Sequence, residues 1–161
     1  MGGLTHDAYL PLFDALHLGW YGRDLRDVAG RAERSDIIVA EIGGVLVGAL
    51  AYMDDYSTET GHLGVDLENT SGFRVLAVNP SVQGRGIGEA LTRWCIERAR
   101  NDGRAAIVLH TTDFMPAAQR LYRRLGFDRF TEIDYDAKGQ GGAVAVMGFR
   151  ITFDRHDEKG A

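Results

Sequence analysis

Residues 73–88, Phe-Arg-Val-Leu-Ala-Val-Asn-Pro-Ser-Val-Gln-Gly-Arg-Gly-Ile-Gly, constrain what this chain can fold into more than any other stretch. The run opens on β-branched and aromatic residues, passes Asn79-Pro80, becomes glycine-rich and enters an amphipathic segment. In that order a strand delivers the backbone to a tight turn, where glycines let the main chain approach a ligand with no side chain between. The first turn of the helix that follows presents unpaired N–H groups and a partial positive charge, which suits a phosphate or pyrophosphate.

Two anion-binding motifs fail on this run. A P-loop requires Lys-Ser or Lys-Thr after its last glycine, whereas Gly88 is followed by Glu89-Ala90. A dinucleotide fingerprint requires Gly or Ala three places after its second glycine. Counted from Gly84 that place is Glu89, and from Gly86 it is Leu91, which disfavours a nucleotide-binding oxidoreductase. What remains is Gln83-x-x-Gly86-x-Gly88, directly after the strand end Leu76-Ala77-Val78.

The flanking sequence supplies the elements around this run. Tyr9, Leu12, Phe13 and Leu16 mark one face of a helix over residues 5–19, which Pro11 either starts or kinks. A more charged helix is expected over 23–33. Trp20 and Tyr21, at the junction, either pack in the core or line a substrate cleft. Residues 37–41 and 45–53 read as a hairpin around Ile42-Gly43-Gly44. Residues 54–61 read as loop, 64–71 as a short strand and turn, and 73–78 as a strand. From Ile87 the apolar positions Ala90, Leu91, Trp94, Cys95 and Ala99 define an amphipathic helix that stops at Asn101-Asp102-Gly103. A strand over 105–110 then completes a crossover with two parallel neighbours. Pro116 opens a shorter helix that Gly126 ends. Strands over 127–135 and 143–153 should pair antiparallel across a glycine-rich turn, and the charged tail, 154–161, should fray.

Composition narrows the function class. With 161 residues the chain suits one domain, 1–161, and its 45% apolar and 25% charged fractions are ordinary for a globular protein. A net charge of −5 argues against a nucleic-acid partner. The longest uncharged apolar run, 42–53, is far below the roughly 20 residues of a membrane span, so no membrane partner is expected. A single cysteine, Cys95, cannot close an internal disulfide, and no signal peptide is visible; both fit a cytoplasmic location. The five histidines show no metal-ligand spacing, so no metal is expected. Cys95 lies on the apolar stripe and reads as a core residue.

The segment after the second strand reads Ala118-x-x-Leu121-Tyr122-x-x-x-Gly126-Phe127. Together with Gln83-x-x-Gly86-x-Gly88 it resembles the GNAT superfamily of acyl-CoA N-acyltransferases, over a cofactor core of residues 73–127. The resemblance implies an α/β fold of α+β type: a mixed, mostly antiparallel sheet, flanked by helices, in which one parallel pair splays to admit acyl-CoA. It further implies that Leu76, Ala77 and Val78 pair with the pantetheine arm and that Gln83, Gly84, Arg85, Gly86, Ile87 and Gly88 hold the pyrophosphate. Tyr122 becomes the general acid, and acetyl-CoA the co-substrate. The acceptor is a primary amine on a small molecule or a protein, with a homodimer left open. Direct transfer expels CoA as a thiolate, and a phenol with a pKa near 10 stays protonated at neutral pH to meet it. A non-catalytic acyl-CoA-binding or regulatory module would share the loop without needing Tyr122.

Three departures from the family pattern stand out. Met115 replaces an asparagine that in many relatives orders the CoA arm. Strand 73–78 holds no Glu or Asp to act as base, which leaves Glu59, Asp66, Glu68 and His110 as substitutes. Only Met-Gly-Gly-Leu precedes the first helix, so the usual opening strand should be missing or very short. Without a base on the strand, the acceptor's proton leaves through ordered water or the amine reacts from its neutral minority, and the rate is expected to climb past pH 8.

Overall fold

A computed structural model describes residues 28–139 and 142–154. The expected helix over 5–19, Trp20 and Tyr21, the question of an opening strand and the tail beyond 154 lie outside the described residues. Of the expected helix over 23–33, α1 (Val28–Ala32) is present.

Continuous apolar, β-branched runs on either side of Gly43-Gly44 give β1 (Asp36–Ile42) and β2 (Val45–Met53), paired antiparallel with Ile42 opposite Val45. Both glycines adopt positive φ, as a tight hairpin turn requires. The polar stretch expected as loop contains a short helix, α2 (Ser57–Thr60), followed by a 3₁₀ turn over Gly61–Leu63. Its cause is local: the Asp55 carboxylate accepts from the Ser57 amide at 2.9 Å, an Asx turn that starts the helix. Strand β3 (Thr70–Val78) begins earlier than the sequence suggested, and the glycine-rich loop leads into α3 (Ile87–Asn101). Then follow β4 (Ala106–Thr112), α4 (Pro116–Arg124), β5 (Asp128–Arg129), β6 (Tyr135–Gly139) and β7 (Gly142–Thr152).

The sheet order is β1-β2-β3-β4-β7-β5, with β6 also on β7, and β3/β4 is its parallel pair. Two buried clusters cover its two faces. Ile107 and Leu109 on β4 join Leu91, Cys95 and Ala99 of α3, Tyr122 of α4, Phe73, Phe127 and Phe149 in the larger cluster. Val108, between them, points the other way, into a smaller cluster with Met53, Tyr56, Leu67, Phe130 and Ile133. Trp94, expected on the buried stripe of α3, is 37% exposed. The buried positions are 91, 92, 95, 96 and 99, so residue 94 falls off the stripe; its ring meets Tyr52 edge-on at 5.8 Å.

The single strand expected over 127–135 is interrupted by a 3₁₀ turn at Thr131–Ile133. Phe130 and Ile133 both belong to the smaller cluster. In a strand, residues three apart point to opposite faces, whereas a 3₁₀ turn brings them to one side. Burial of both side chains therefore breaks the strand.

Two glycines make room for that cluster. A Cβ on Gly72 would collide with the Tyr56 ring and lie 2.6 Å from the Val108 carbonyl. One on Gly148 would collide with the Ile133 side chain and lie 2.5 Å from the Phe130 carbonyl. Replacing Gly72 by alanine should therefore cost about 1–3 kcal/mol, as overpacking typically does. Thermal unfolding should show a loss of roughly 3–10 °C, and an unchanged midpoint would remove Gly72 as the seat of the Tyr56 ring.

Candidate functional site

The site begins where two parallel strands part. β3 and β4 pair at Thr70/Ala106, Ser71/Ile107 and Gly72/Val108, and there the ladder ends, although β3 continues to Val78 and β4 to Thr112. On its other side β3 stays paired with β2 but slips: Arg74 faces Ala51 and Ala77 faces Ala49, so Leu50 alone opposes Val75 and Leu76. This is a bulge, and bulges bend and twist the strand that carries them. Val75 takes φ = +57°, a left-handed conformation that a β-branched residue adopts only at a cost of order 1–3 kcal/mol.

Beyond the bulge a cleft of about 750 Å³ opens on the helical face. Leu76, Ala77 and Val78 form its strand wall, and Gln83, Gly84, Gly86, Ile87 and Gly88 its loop wall. Gly84 and Gly86 both have φ near +80°, and a Cβ at either would meet nothing within 4 Å. Backbone conformation, not crowding, thus demands glycine there, and the space in front of the loop is open. Gln83 anchors the loop by donating to the Val78 carbonyl at 3.2 Å. Gly86 caps α3, whose first helical bond runs from the Ala90 amide to the Gly86 carbonyl at 2.9 Å. The amides ahead of Ala90 have no intrahelical acceptor, and their residues Ile87, Gly88 and Glu89 line the cleft.

The opposite wall comes from α4 and the residue before it: Met115, Ala117, Ala118, Leu121 and Arg124. Met115 presents a thioether, a weak acceptor, where an amide would offer stronger hydrogen bonds, and its sulfur takes the Thr111 hydroxyl at 3.9 Å. Charge sits at the mouth. Glu89 accepts from Arg93 at 2.9 Å and from Arg124 at 3.2 Å, and these two guanidiniums hold its carboxyl below the usual range. The Glu89–Arg124 pair ties the two helical walls together, and no spacing along the chain announces it because the partners come from different helices.

Two expected site residues do not line the cleft. Arg85 is exposed and does not line the cleft: flanked by two left-handed glycines, it is carried on the outside of the turn. Tyr122 is 5% exposed, packed edge-on against Phe73 and Phe127 at centroid distances of 6.0 and 5.9 Å. It belongs to the larger core cluster, one residue beyond the cleft-lining Leu121. Burial pushes its phenol up and keeps it protonated. Burial likewise raises the Cys95 thiol, which leaves it an inert core residue.

The substitutes for a strand carboxylate separate in space. Asp66 and Glu68 line a second cleft, of about 490 Å³, with Asp54, Asp55 and Arg104 at the Thr70 end of β3. That end lies roughly 20 Å along the strand from Leu76–Val78. Glu59 is paired with Arg74 at 2.6 Å. His110 stands on β4, two residues past the end of the ladder, with Nδ1 3.1 Å from the Tyr56 hydroxyl and Nε2 2.8 Å from the Ile133 carbonyl. Burial lowers its pKa and Arg74 adds to the effect, while the Ile133 carbonyl, Asp134 and Glu59 oppose it.

Comparison with known proteins gives this geometry a context. Residues 6–127 match the family model described as acetyltransferase (GNAT) family. An N-acetylaspartate synthetase of Danio rerio is 41% identical over 73 residues, 45% of this chain and 26% of that protein. The probable N-acetyltransferase family 8 member 5 of Mus musculus is 29% identical over 115 residues, 71% of this chain and 44% of that protein. The chain thus spans less than half the length of these curated relatives. Among solved structures, PH1933 of Pyrococcus horikoshii OT3 shares the fold with a TM-score of 0.68 at 20% identity, over 95% of this chain and 90% of that one. The putative acetyltransferase yncA of Salmonella typhimurium, solved with its cofactor acetyl-CoA, does so with a TM-score of 0.61 at 21% identity, over 83% and 74%.

One ion pair braces the far side of the site. Asp134 accepts from Arg129 at 2.6 and 3.0 Å and from the Gly148 amide at 2.7 Å. Burial alone would raise its pKa, but these donors outweigh it and hold the carboxyl below the ordinary value. A depressed folded-state pKa stabilises above the unfolded pKa, near 4, and the stabilisation fades as pH falls through the folded value. Asp134→Asn should cost about 1 kcal/mol at pH 7, discounted for the solvent reaching this pair, and progressively less below pH 4. Denaturant midpoints at pH 7 and pH 3 measure this; an equal loss at both would show that charge contributes nothing here.

Proposed function

Because the chain belongs to the GNAT acetyltransferase family, we propose that it moves an acetyl or other short acyl group from coenzyme A to a primary amine by direct transfer. The observation that carries this reading is the cleft at the parting of β3 and β4, with a strand edge on one wall and a left-handed glycine loop at a helix N-terminus on another. The residues present fit acyl-CoA. The open space in front of Gly84 and Gly86 admits a pyrophosphate onto backbone amides, and the dipole of α3 favours its charge. Ala117, Ala118 and Leu121 offer an apolar wall to the pantetheine arm, which can add to the Leu76–Val78 edge as an extra strand. Arg124, held at the mouth by Glu89, is the cation placed to meet a phosphate; it takes the role expected of Arg85.

Bound acetyl-CoA supplies the activated acyl carbon as a thioester. Of this chain's residues, Tyr122 holds the proton for the leaving sulfur, since burial keeps its phenol neutral and α4 sets it beside the cleft wall. One observation favours a second reading, a non-catalytic acyl-CoA-binding module: the Tyr122 ring is packed among aromatic side chains and does not line the cleft. Release of free CoA in the presence of amines separates the two.

Gly86→Asp should abolish acetyl-CoA binding in calorimetry while the protein still folds, because the carboxylate would repel the phosphates and fill the open space before the loop. Undiminished affinity in a folded variant would sink the loop assignment. Tyr122→Phe should lower kcat by roughly 10²-fold with little change in acetyl-CoA affinity, the scale of losing a general acid. A normal kcat would make Tyr122 a packing residue only.

A further inference from the structure

The cleft accounts for one face of the parting strands, and the other face is not inert. Gly72 and Val108 form the last rung of the β3/β4 ladder. The next residues on that face are Arg74 on one strand and His110 on the other, so these two flank the opening from behind. Both therefore stand beside the parting of the strands, on the face that carries the smaller cluster.

The hydrogen bonds of His110 settle its tautomer. A carbonyl can only accept, so the 2.8 Å contact with Ile133 requires the proton on Nε2. Nδ1 then carries the lone pair, and the Tyr56 hydroxyl donates to it at 3.1 Å. Both partners are built in by glycine: Gly72 seats the Tyr56 ring, and Gly148, opposite His110 in the β4/β7 ladder, lets the Ile133 turn lie on the sheet. The ring also stands edge-on to Tyr135 of β6, with centroids 5.4 Å apart. Among the described residues, the charged groups facing it are Arg74 on β3, Glu59 on α2, and Asp134 before β6, itself paired with Arg129.

We propose that His110, through Tyr56, takes the proton that the acceptor ammonium must lose before it attacks the thioester. This rests on the acyl-transfer reading. Tyr56 is 1% exposed, so the proton travels from the amine to one water at the opening and from that water to the Tyr56 oxygen, while Tyr56 passes its own proton to His110 Nδ1. The amine becomes neutral, the water and phenol are regenerated, and the imidazole becomes an imidazolium that donates from both nitrogens, to Ile133 and to Tyr56. The carboxylates of Glu59 and Asp134 favour that cation and Arg74 opposes it, while burial keeps the resting ring neutral and ready to accept. His110 gives the proton back to solvent after each turnover. The base missing from strand 73–78 is thus supplied by the neighbouring strand.

The pH profile tests this. Phenethylamine, spermidine, alanine and an alanyl peptide are screened for CoA release, and kcat/KM for the fastest acceptor is followed from pH 6 to pH 9.5. The wild-type profile should level off above neutrality instead of climbing past pH 8. His110→Gln should lose roughly 10²-fold at pH 7, keep its acetyl-CoA affinity, and close the gap as pH rises and the amine loses its proton unaided. Tyr56→Phe, which keeps the ring over Gly72, should show the same profile and carries the test if the His110 variant does not fold. Asp66→Asn and Glu68→Gln should each lose less than about tenfold. A folded variant with the wild-type profile, or a loss equal at every pH, would overturn the relay while leaving acyl transfer intact. A wild type that releases no CoA with any of the four would overturn acyl transfer, and the relay with it.

Discussion

The separation of β3 from β4 after Gly72 and Val108 is the constraint on which the rest of this molecule depends. Parallel strands that stayed paired would leave no gap in the sheet. The gap exists because two residues, Val75 and Leu76, stand opposite Leu50, and the extra residue forces Val75 into a left-handed conformation. A strained β-branched residue persists only where its surroundings over-determine it. Here β2 grips β3 on both sides of the bulge, at Ala51/Arg74 and at Ala49/Ala77, so the strain cannot relax without unzipping the pair.

The two buried clusters on the two faces of the sheet then give the opening two different linings. On the helical face, α3 and α4 place amides, small apolar side chains and one tethered arginine around a space of about 750 Å³. On the other face, the turn before α2 and the 3₁₀ turn before β6 converge on His110. That convergence needs two positions without a Cβ, Gly72 and Gly148, because each aromatic or branched neighbour occupies the place a side chain would take.

Desolvation acts on both faces with opposite chemical result. Taking a group out of water disfavours its charged form, which raises a phenol and lowers an imidazole. Tyr122 is thereby kept protonated and His110 neutral. A phenol kept protonated and an imidazole kept unprotonated follow from one physical cause, applied to two side chains of opposite charge type.

The elements set by local chemistry were legible in the sequence. The β1/β2 hairpin followed from Gly43-Gly44, the tight turn before α3 from Gly84 and Gly86, and α3 from its apolar period, since turn geometry and amphipathicity are written in adjacent residues. Readings failed where a distant partner decided. Trp94 looked like a core residue until the stripe of α3 was fixed by the sheet beneath it, and residues 127–135 looked like one strand until Phe130 and Ile133 had to reach the same cluster. Arg85 was attractive because it lies inside the loop, but two left-handed glycines carry it outside the turn. The sequence by itself therefore determined the hairpin, the parallel crossover through α3 and the glycine-rich loop between them. Only the tertiary structure decided the bulge at Val75, the bridge from Glu89 to Arg124 and the hydrogen bonds of His110, because each joins residues brought together by packing and left unrelated by spacing along the chain.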